Sequence, residues 1–141
     1  MNDILSIADQ TLELSKICDD YASVVRDRAR ELWRAGSIDE DAYDEATAAY
    51  NQIRGKSRAF ATQASLLAAQ GIDQELKKLA QATSSLKQAR ARLNQTSEIV
   101  AVATKLVAMT TAIAAMALGP TPGSVVASVM AIKQVVATLG G

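Results

Sequence analysis

Few side chains in this chain of 141 residues have the chemistry needed for catalysis or metal binding. Histidine is absent and Cys18 is the only cysteine, which excludes histidine-based catalytic triads and zinc sites built on histidine or on cysteine alone. Gly36, Gly55 and Gly71 stand alone, so no phosphate-binding loop is present. Carboxylates are frequent before residue 45, but most lie on the polar side of a helical pattern. The sequence therefore predicts that the protein is not an enzyme and uses no cofactor and no small-molecule substrate.

The densest acidic cluster, Asp39 to Asp41, has a structural explanation. It follows Gly36 and Ser37, and Glu40 stands three residues after Ser37, as in a capping box. The partial positive charge at a helix N-terminus stabilises acids in the first turn. Calcium loops need alternating oxygen ligands, a central glycine and a late glutamate, and that spacing is missing. We expect a helix start here, capped by Ser37, and no metal site.

Charge is unevenly distributed, although fifteen acids and fifteen bases cancel overall. Residues 1–50 hold twelve acids and five bases, whereas residues 51–98 hold three acids and eight bases. This asymmetry predicts an acidic helix lying beside a basic one. Arg54, Lys56 and Arg58 form a short basic cluster, but aromatic residues do not alternate with the bases, so no nucleic-acid partner is expected.

Apolar side chains recur at alternating spacings of three and four residues, the pattern of helices that pack along their length. Turn signals at Gly36, at Gly71 and in the segment GPTPG separate the helices. The polar segment 94–98 contains no helix breaker, so the third helix is either continuous or kinked there. We predict one all-α domain, an elongated antiparallel bundle of about four helices, at 3–35, 38–70, 73–118 and 124–139.

The last third of the chain is almost free of charge. Residues 1–98 contain the charged amphipathic helices, whereas residues 99–141 contain only two ionisable side chains, Lys105 and Lys133. Residues 99–118 are long enough for a helix to cross a hydrocarbon core of ~30 Å. The chain is therefore predicted to end in a hydrophobic helical hairpin.

Two parts of this hairpin are predicted to matter for function. A helix that is apolar all round must be buried in protein or membrane, and amphipathic helices offer only one stripe each to cover it. The hairpin turn consists of Gly119, Pro120, Pro122 and Gly123. The face expected to contact lipid or another protein consists of Ile99, Val102, Leu106, Met109, Ile113, Met116, Val125, Val129 and Ile132.

Long amphipathic helices joined to the uncharged hairpin IVAVATKLVAMTTAIAAMALGPTPGSVVASVMAIKQVVATL resemble the α-helical pore-forming toxins of the cytolysin A and haemolysin BL type. The resemblance is one of architecture. It implies a hydrophobic element that is packed away in the soluble form and enters the membrane on assembly.

We therefore expect a membrane-active helical protein that inserts or docks its C-terminal hairpin in a bilayer, as an oligomer, like a pore-forming or membrane-disrupting effector. The alternative is a soluble homo-oligomeric or partner-binding helical module whose hairpin is a protein interface. The N-terminal segment MNDILSIADQ lacks a basic region and a long apolar run. We expect synthesis in the cytoplasm without a signal peptide, with membrane association or signal-independent export open.

Overall fold

The computed structural model describes residues 6–64, 67 and 71–140. No β-strand occurs in these ranges, and the all-α fold class is confirmed. The described part of the chain forms five helices rather than four. They are α1 (Ile7–Arg34), α2 (Glu40–Ala64), α3 (Asp73–Leu93), α4 (Ile99–Leu118) and α5 (Pro122–Thr138).

The segment 73–118, predicted as a third helix that is continuous or kinked at 94–98, forms two helices instead, because the chain leaves the helix between them. The Thr96 hydroxyl accepts a hydrogen bond from the backbone N–H of Glu98 at 3.0 Å. Arg28 Nε of α1 donates to the Thr96 carbonyl at 2.9 Å. Hydroxyl side chains of this kind compete with helical hydrogen bonds. The polar segment therefore forms a turn, and the apolar stripes on either side of it both pack into the same core.

The connection between α1 and α2 corrects the predicted helix cap. Gly36 adopts a positive φ of 74°, and the Ser37 backbone N–H donates to the Leu32 carbonyl at 2.8 Å. Ser37 thus belongs to the C-terminal cap of α1, where glycine supplies the left-handed turn. The Asp39 carboxylate accepts a hydrogen bond from the Ala42 backbone N–H at 2.8 Å and caps α2 instead.

The predicted start of the first helix and the predicted end of the second cannot be compared with the structure. The Ser6 hydroxyl accepts a hydrogen bond from the Asp9 backbone N–H at 3.1 Å and caps α1. The predicted start at residue 3 lies outside the described residues, as does the predicted end of the second helix at residue 70. Leu67, which is described, is not helical.

The turn between α4 and α5 is shorter than predicted. Gly119 ends α4, and Thr121 caps α5, with reciprocal hydrogen bonds between Thr121 and Ser124 at 2.9 and 3.1 Å. Pro122 and Gly123 lie in the first turn of α5 rather than in the connection. Proline suits this position because the first helical N–H groups have no intrahelical acceptor.

The helices alternate in direction. Gln10 lies against Leu76 and Arg28 against Thr96, so α1 and α3 run parallel, and α2 and α4 run the opposite way. α1, α4, α5 and α3 form a ring in that order, and α2 packs against α1 and α4. Helix α4, which carries one charged residue, Lys105, is therefore covered by α1, α2 and α5.

One continuous hydrophobic core contains side chains from all five helices. The apolar side of α1 lies within it, and Tyr21 is fully buried, with its hydroxyl donating to the Leu86 carbonyl of α3. Cys18 is also fully buried, and burial, followed by the nearby Asp19 charge, raises the pKa of its thiol. The thiol is therefore a neutral core side chain.

The predicted pairing of acidic and basic helices is confirmed. Acids of α1 face bases of α2 and α3 in three ion pairs at the bundle surface. A hydrogen bond with Asp20 raises the pKa of the Arg90 guanidinium. The pairs are Asp19–Arg54 at 3.9 Å, Glu13–Lys87 and Asp20–Arg90.

Candidate functional site

The nine predicted hairpin residues are all in the core. The most exposed of them, Val129, has only 5% of its surface accessible. The structure thus brings the nine together, but as the inner face of the hairpin, in contact with protein. They are Ile99, Val102, Leu106, Met109, Ile113, Met116, Val125, Val129 and Ile132.

α4 has a second, exposed face. Its residues repeat at spacings of three and four, so they form a straight stripe along the helix. None is charged, most are small, and Leu118 is 81% exposed. The stripe consists of Ala101, Thr104, Ala108, Thr111, Ala115 and Leu118.

α5 has an exposed stripe of its own. Val126 is 41% exposed and Met130 is 58% exposed, and Lys133 and Ala137 continue the same line. We call the ten exposed residues of the α4 and α5 stripes the outer hairpin face. Both faces of α4 are apolar. The sequence alone therefore does not show which face is exposed, and the structure does.

Three lysines lie at this surface. Lys56 of α2 donates a hydrogen bond from Nζ to Oγ1 of Thr111. Lys105 Nζ of α4 donates to Oε1 of Gln134 on α5 at 3.3 Å, and Lys133 is exposed on α5. Since neither helix of the hairpin contains an acid, its own charge is positive.

Two shallow grooves run between α2 and α4 at the edge of the outer hairpin face. One of about 300 Å³ is lined by Glu45, Gln52 and apolar residues of α4, including Val107. The other, of about 140 Å³, is lined by Phe60, Leu118, alanines and a glutamine. Neither holds a pair of acids that would serve as general acid and base. In the part of the chain that the structure describes, no cluster of potential metal ligands occurs.

A polar cluster lies between α1 and α2. The Tyr50 hydroxyl accepts hydrogen bonds from Arg26 Nη1 at 3.0 Å and from Arg54 Nη1 at 2.9 Å. The two guanidinium carbons lie 4.8 and 5.7 Å from the centre of the tyrosine ring. The hydrogen bond with Tyr50 raises the pKa of Arg54. Each contact joins one helix to the other or stabilises the cation, which is a structural role.

α4 has the length and composition of a membrane-spanning helix. It contains 20 residues, and its most apolar window of 18 residues has a mean hydropathy of 1.9 and is 44% buried in the bundle. More than half of that window is therefore at least partly exposed. α5, with 17 residues, is shorter.

Comparisons of the chain with models of protein families, with curated proteins and with solved structures find no match. The resemblance to helical pore-forming toxins therefore stays a prediction from architecture.

Proposed function

We propose that the protein docks on lipid bilayers through the outer hairpin face, and that on assembly the α4–α5 hairpin enters the membrane. The observation that supports this most directly is an exposed, almost uncharged face on a helix of membrane-spanning length. Exposed apolar surface of this kind in a single chain is a common mark of an interaction site.

Docking by the closed bundle is weak and reversible. Leu118, Val126 and Met130 are the large apolar side chains of the face, and fully burying such a side chain contributes about 1.5–3 kcal/mol. Because they are only partly exposed, the three together contribute roughly 3–5 kcal/mol. Alanines and threonines add little to this sum. The free energy is comparable to that of a single acyl chain, which gives only marginal membrane binding.

Entry of the hairpin requires the inner face to exchange protein contacts for lipid. A helix of the length of α4 rises ~30 Å, which matches the hydrocarbon core. The inner face is apolar, so lipid can replace the core side chains of α1 and α2 as its surroundings. The matching surfaces of α1 and α2 then need a new cover, which assembly with further copies would supply.

Flotation of the purified protein with liposomes, with dye release followed in the same sample, tests this proposal. Met130→Asp places a charge on the outer hairpin face and is expected to lower flotation at least about tenfold, since a buried charge is costly in lipid. Leu12→Asp is the matched control, because Leu12 is an exposed apolar residue of α1, away from the hairpin. It should float like the unmodified protein.

The outcomes separate docking from entry. Flotation with dye release supports both, and flotation without release supports docking alone and contradicts entry. A protein that stays at the bottom of the gradient contradicts both. Equal loss in Met130→Asp and Leu12→Asp would show that the outer hairpin face is not the contact.

Self-association is a second candidate function, favoured by the spacing of the α4 stripe. Ala101, Ala108 and Ala115 recur every seven residues, with Thr104, Thr111 and Leu118 between them, as in the seam of two packed helices. Sedimentation in lipid-free buffer should then show a concentration-dependent oligomer that Ala108→Arg dissociates. A monomer at micromolar concentration would contradict this function.

A further inference from the structure

The charge around the outer hairpin face narrows the class of lipid that it would contact. No Asp or Glu occurs in residues 99–141, and three lysines lie at the face. We infer that the face recognises bilayers that contain anionic phospholipids, an inference that rests on the proposed membrane function. Apolar contact and lysine–phosphate attraction are then both needed for stable binding, as is usual for proteins held by weak anchors.

Two lysines flank the α4 stripe on opposite sides. Lys56 reaches it from α2, where its ammonium group contacts the hydroxyl of Thr111. Lys105 lies on the side of α5, where its ammonium group contacts Gln134. Both ammonium groups are thus at the edge of the apolar surface, and the long lysine stems allow them to reach a headgroup layer.

Lys133 completes the arrangement on α5. It is exposed and follows Met130 by three residues and Val126 by seven, so it lies on the same side of the helix. Lys105 precedes Leu118 by thirteen residues, which is ~20 Å along α4. On α4 the cation Lys105 and the large apolar side chain Leu118 are therefore far apart, whereas on α5 Lys133 and Met130 lie about one turn apart.

The positions of the acids favour a side-on approach to the membrane. Asp9 and Asp73 are exposed at the starts of α1 and α3, which lie at the same end of the bundle as the hairpin turn. An end-on approach would bring these acids against anionic headgroups. Glu45 lines the α2–α4 groove near Thr104, toward the opposite end of the face. Side-on contact presents the three lysines with the apolar residues.

The test compares flotation on vesicles of phosphatidylcholine alone with flotation on phosphatidylcholine mixed with phosphatidylglycerol. A lysine near an anionic surface contributes about fivefold to binding, so Lys105→Gln with Lys133→Gln should lower partitioning on the anionic vesicles about 25-fold. On phosphatidylcholine alone the pair should have no effect.

The matched control is Lys16→Gln with Arg30→Gln, which removes the same charge from exposed positions of α1. Lys16 and Arg30 are exposed, whereas the side of α1 that packs against its neighbours is in the core. Charges further than ~10 Å from the headgroups are largely screened at 0.1 M salt. This control should partition like the unmodified protein.

Failure of the anionic-lipid inference and failure of the proposed docking function give different results. Equal binding of the unmodified protein to both kinds of vesicle overturns the anionic-lipid inference and leaves the proposed docking in place. An equal loss in the α1 control also overturns it, because general charge would then explain the attraction. Absence of flotation on either vesicle overturns both.

Discussion

The α1–α3 interface and the interfaces of α4 are held together by different chemistry. Between α1 and α3, Tyr21 bonds to a backbone carbonyl, Asp20 pairs with Arg90, and Arg28 reaches the turn that follows α3. Among the described residues, one side-chain hydrogen bond joins α2 to α4, from Lys56 to Thr111, and one joins α4 to α5, from Lys105 to Gln134 at the surface. The rest of the hairpin contact is apolar packing.

This difference separates a directional interface from a non-directional one. Hydrogen bonds and ion pairs fix the register of α1 against α3, because each requires particular partners at particular distances. Apolar burial depends on the area removed from water rather than on orientation. The hairpin is therefore the part of the bundle that can exchange protein contacts for lipid with the smallest loss of hydrogen bonds and ion pairs.

The largest effect is expected at Met109, which is fully buried on the inner face. Met109→Asp places an unpaired carboxylate in the core and should destabilise the fold by at least about 4 kcal/mol in urea unfolding. Ala108→Asp, one residue earlier on the exposed stripe, should change the stability by about 0.5 kcal/mol. Similar losses in the two variants would contradict the division of α4 into an inner and an outer face.

A milder version of the same contrast uses one residue type at two positions. Leu106 is fully buried and Leu118 is 81% exposed, both on α4. Leu106→Ala should cost about 2–5 kcal/mol, because it leaves a cavity in the core. Leu118→Ala should cost less than about 0.5 kcal/mol while weakening liposome flotation. Thermal unfolding and flotation of both variants check this pair, and a destabilised Leu118→Ala would count against an open outer face.

Between about pH 8.5 and pH 10, the ordinary pKa values of cysteine and tyrosine, the stability should depend on pH through Cys18 of α1. Burial raises the pKa of its thiol, so the folded chain keeps a proton that the unfolded chain releases above about pH 8.5. This contribution is fully present below that pH and is lost above it, by about 1.4 kcal/mol per pH unit. Urea unfolding across this range should show the decline, and Cys18→Ala should remove it. An unchanged slope in the variant would rule out the thiol as its source.

The smallest effect is expected at the Asp20–Arg90 pair, whose side chains are both almost half exposed. Asp20→Asn should cost only about 0.5 kcal/mol, since exposed ion pairs contribute little. The difference from the unmodified protein should shrink as salt is added, because exposed charges are screened. If high salt left it unchanged, the contribution of Asp20 would be one of packing rather than of charge.

The sequence predicted the elements whose signals are local and unambiguous. Regular apolar spacing placed α1 and most of α2, and the acids and bases of neighbouring helices were expected to pair. The break at 94–98 was not decided, because its residues disfavour a helix only through hydroxyl hydrogen bonds and through the Arg28 contact with Thr96, which comes from a distant part of the chain. Similarly, Ser37 and Asp39 are both good caps by type, and the glycine turn before them decides between the two.

The candidate surface was predictable only in part. The nine inner residues follow one stripe on each helix of the hairpin, but which stripe of an apolar helix faces the core depends on its neighbours. Met130 and Leu118 became visible as exposed residues only once α4 and α5 were placed in the bundle. Their proposed role is separate from the role predicted for the inner face.

The rate at which the single buried thiol reacts with a reagent measures how fast the bundle opens. Cys18 of α1 is fully buried in the core of the bundle. A thiol-reactive reagent can therefore reach it only when the helices around it separate. The rate of labelling at saturating reagent would then equal the rate at which the bundle opens. If anionic vesicles promote release of the hairpin, they should accelerate the labelling of Cys18 before any dye escapes. The order of labelling and dye release would then show whether the bundle opens before the membrane becomes permeable.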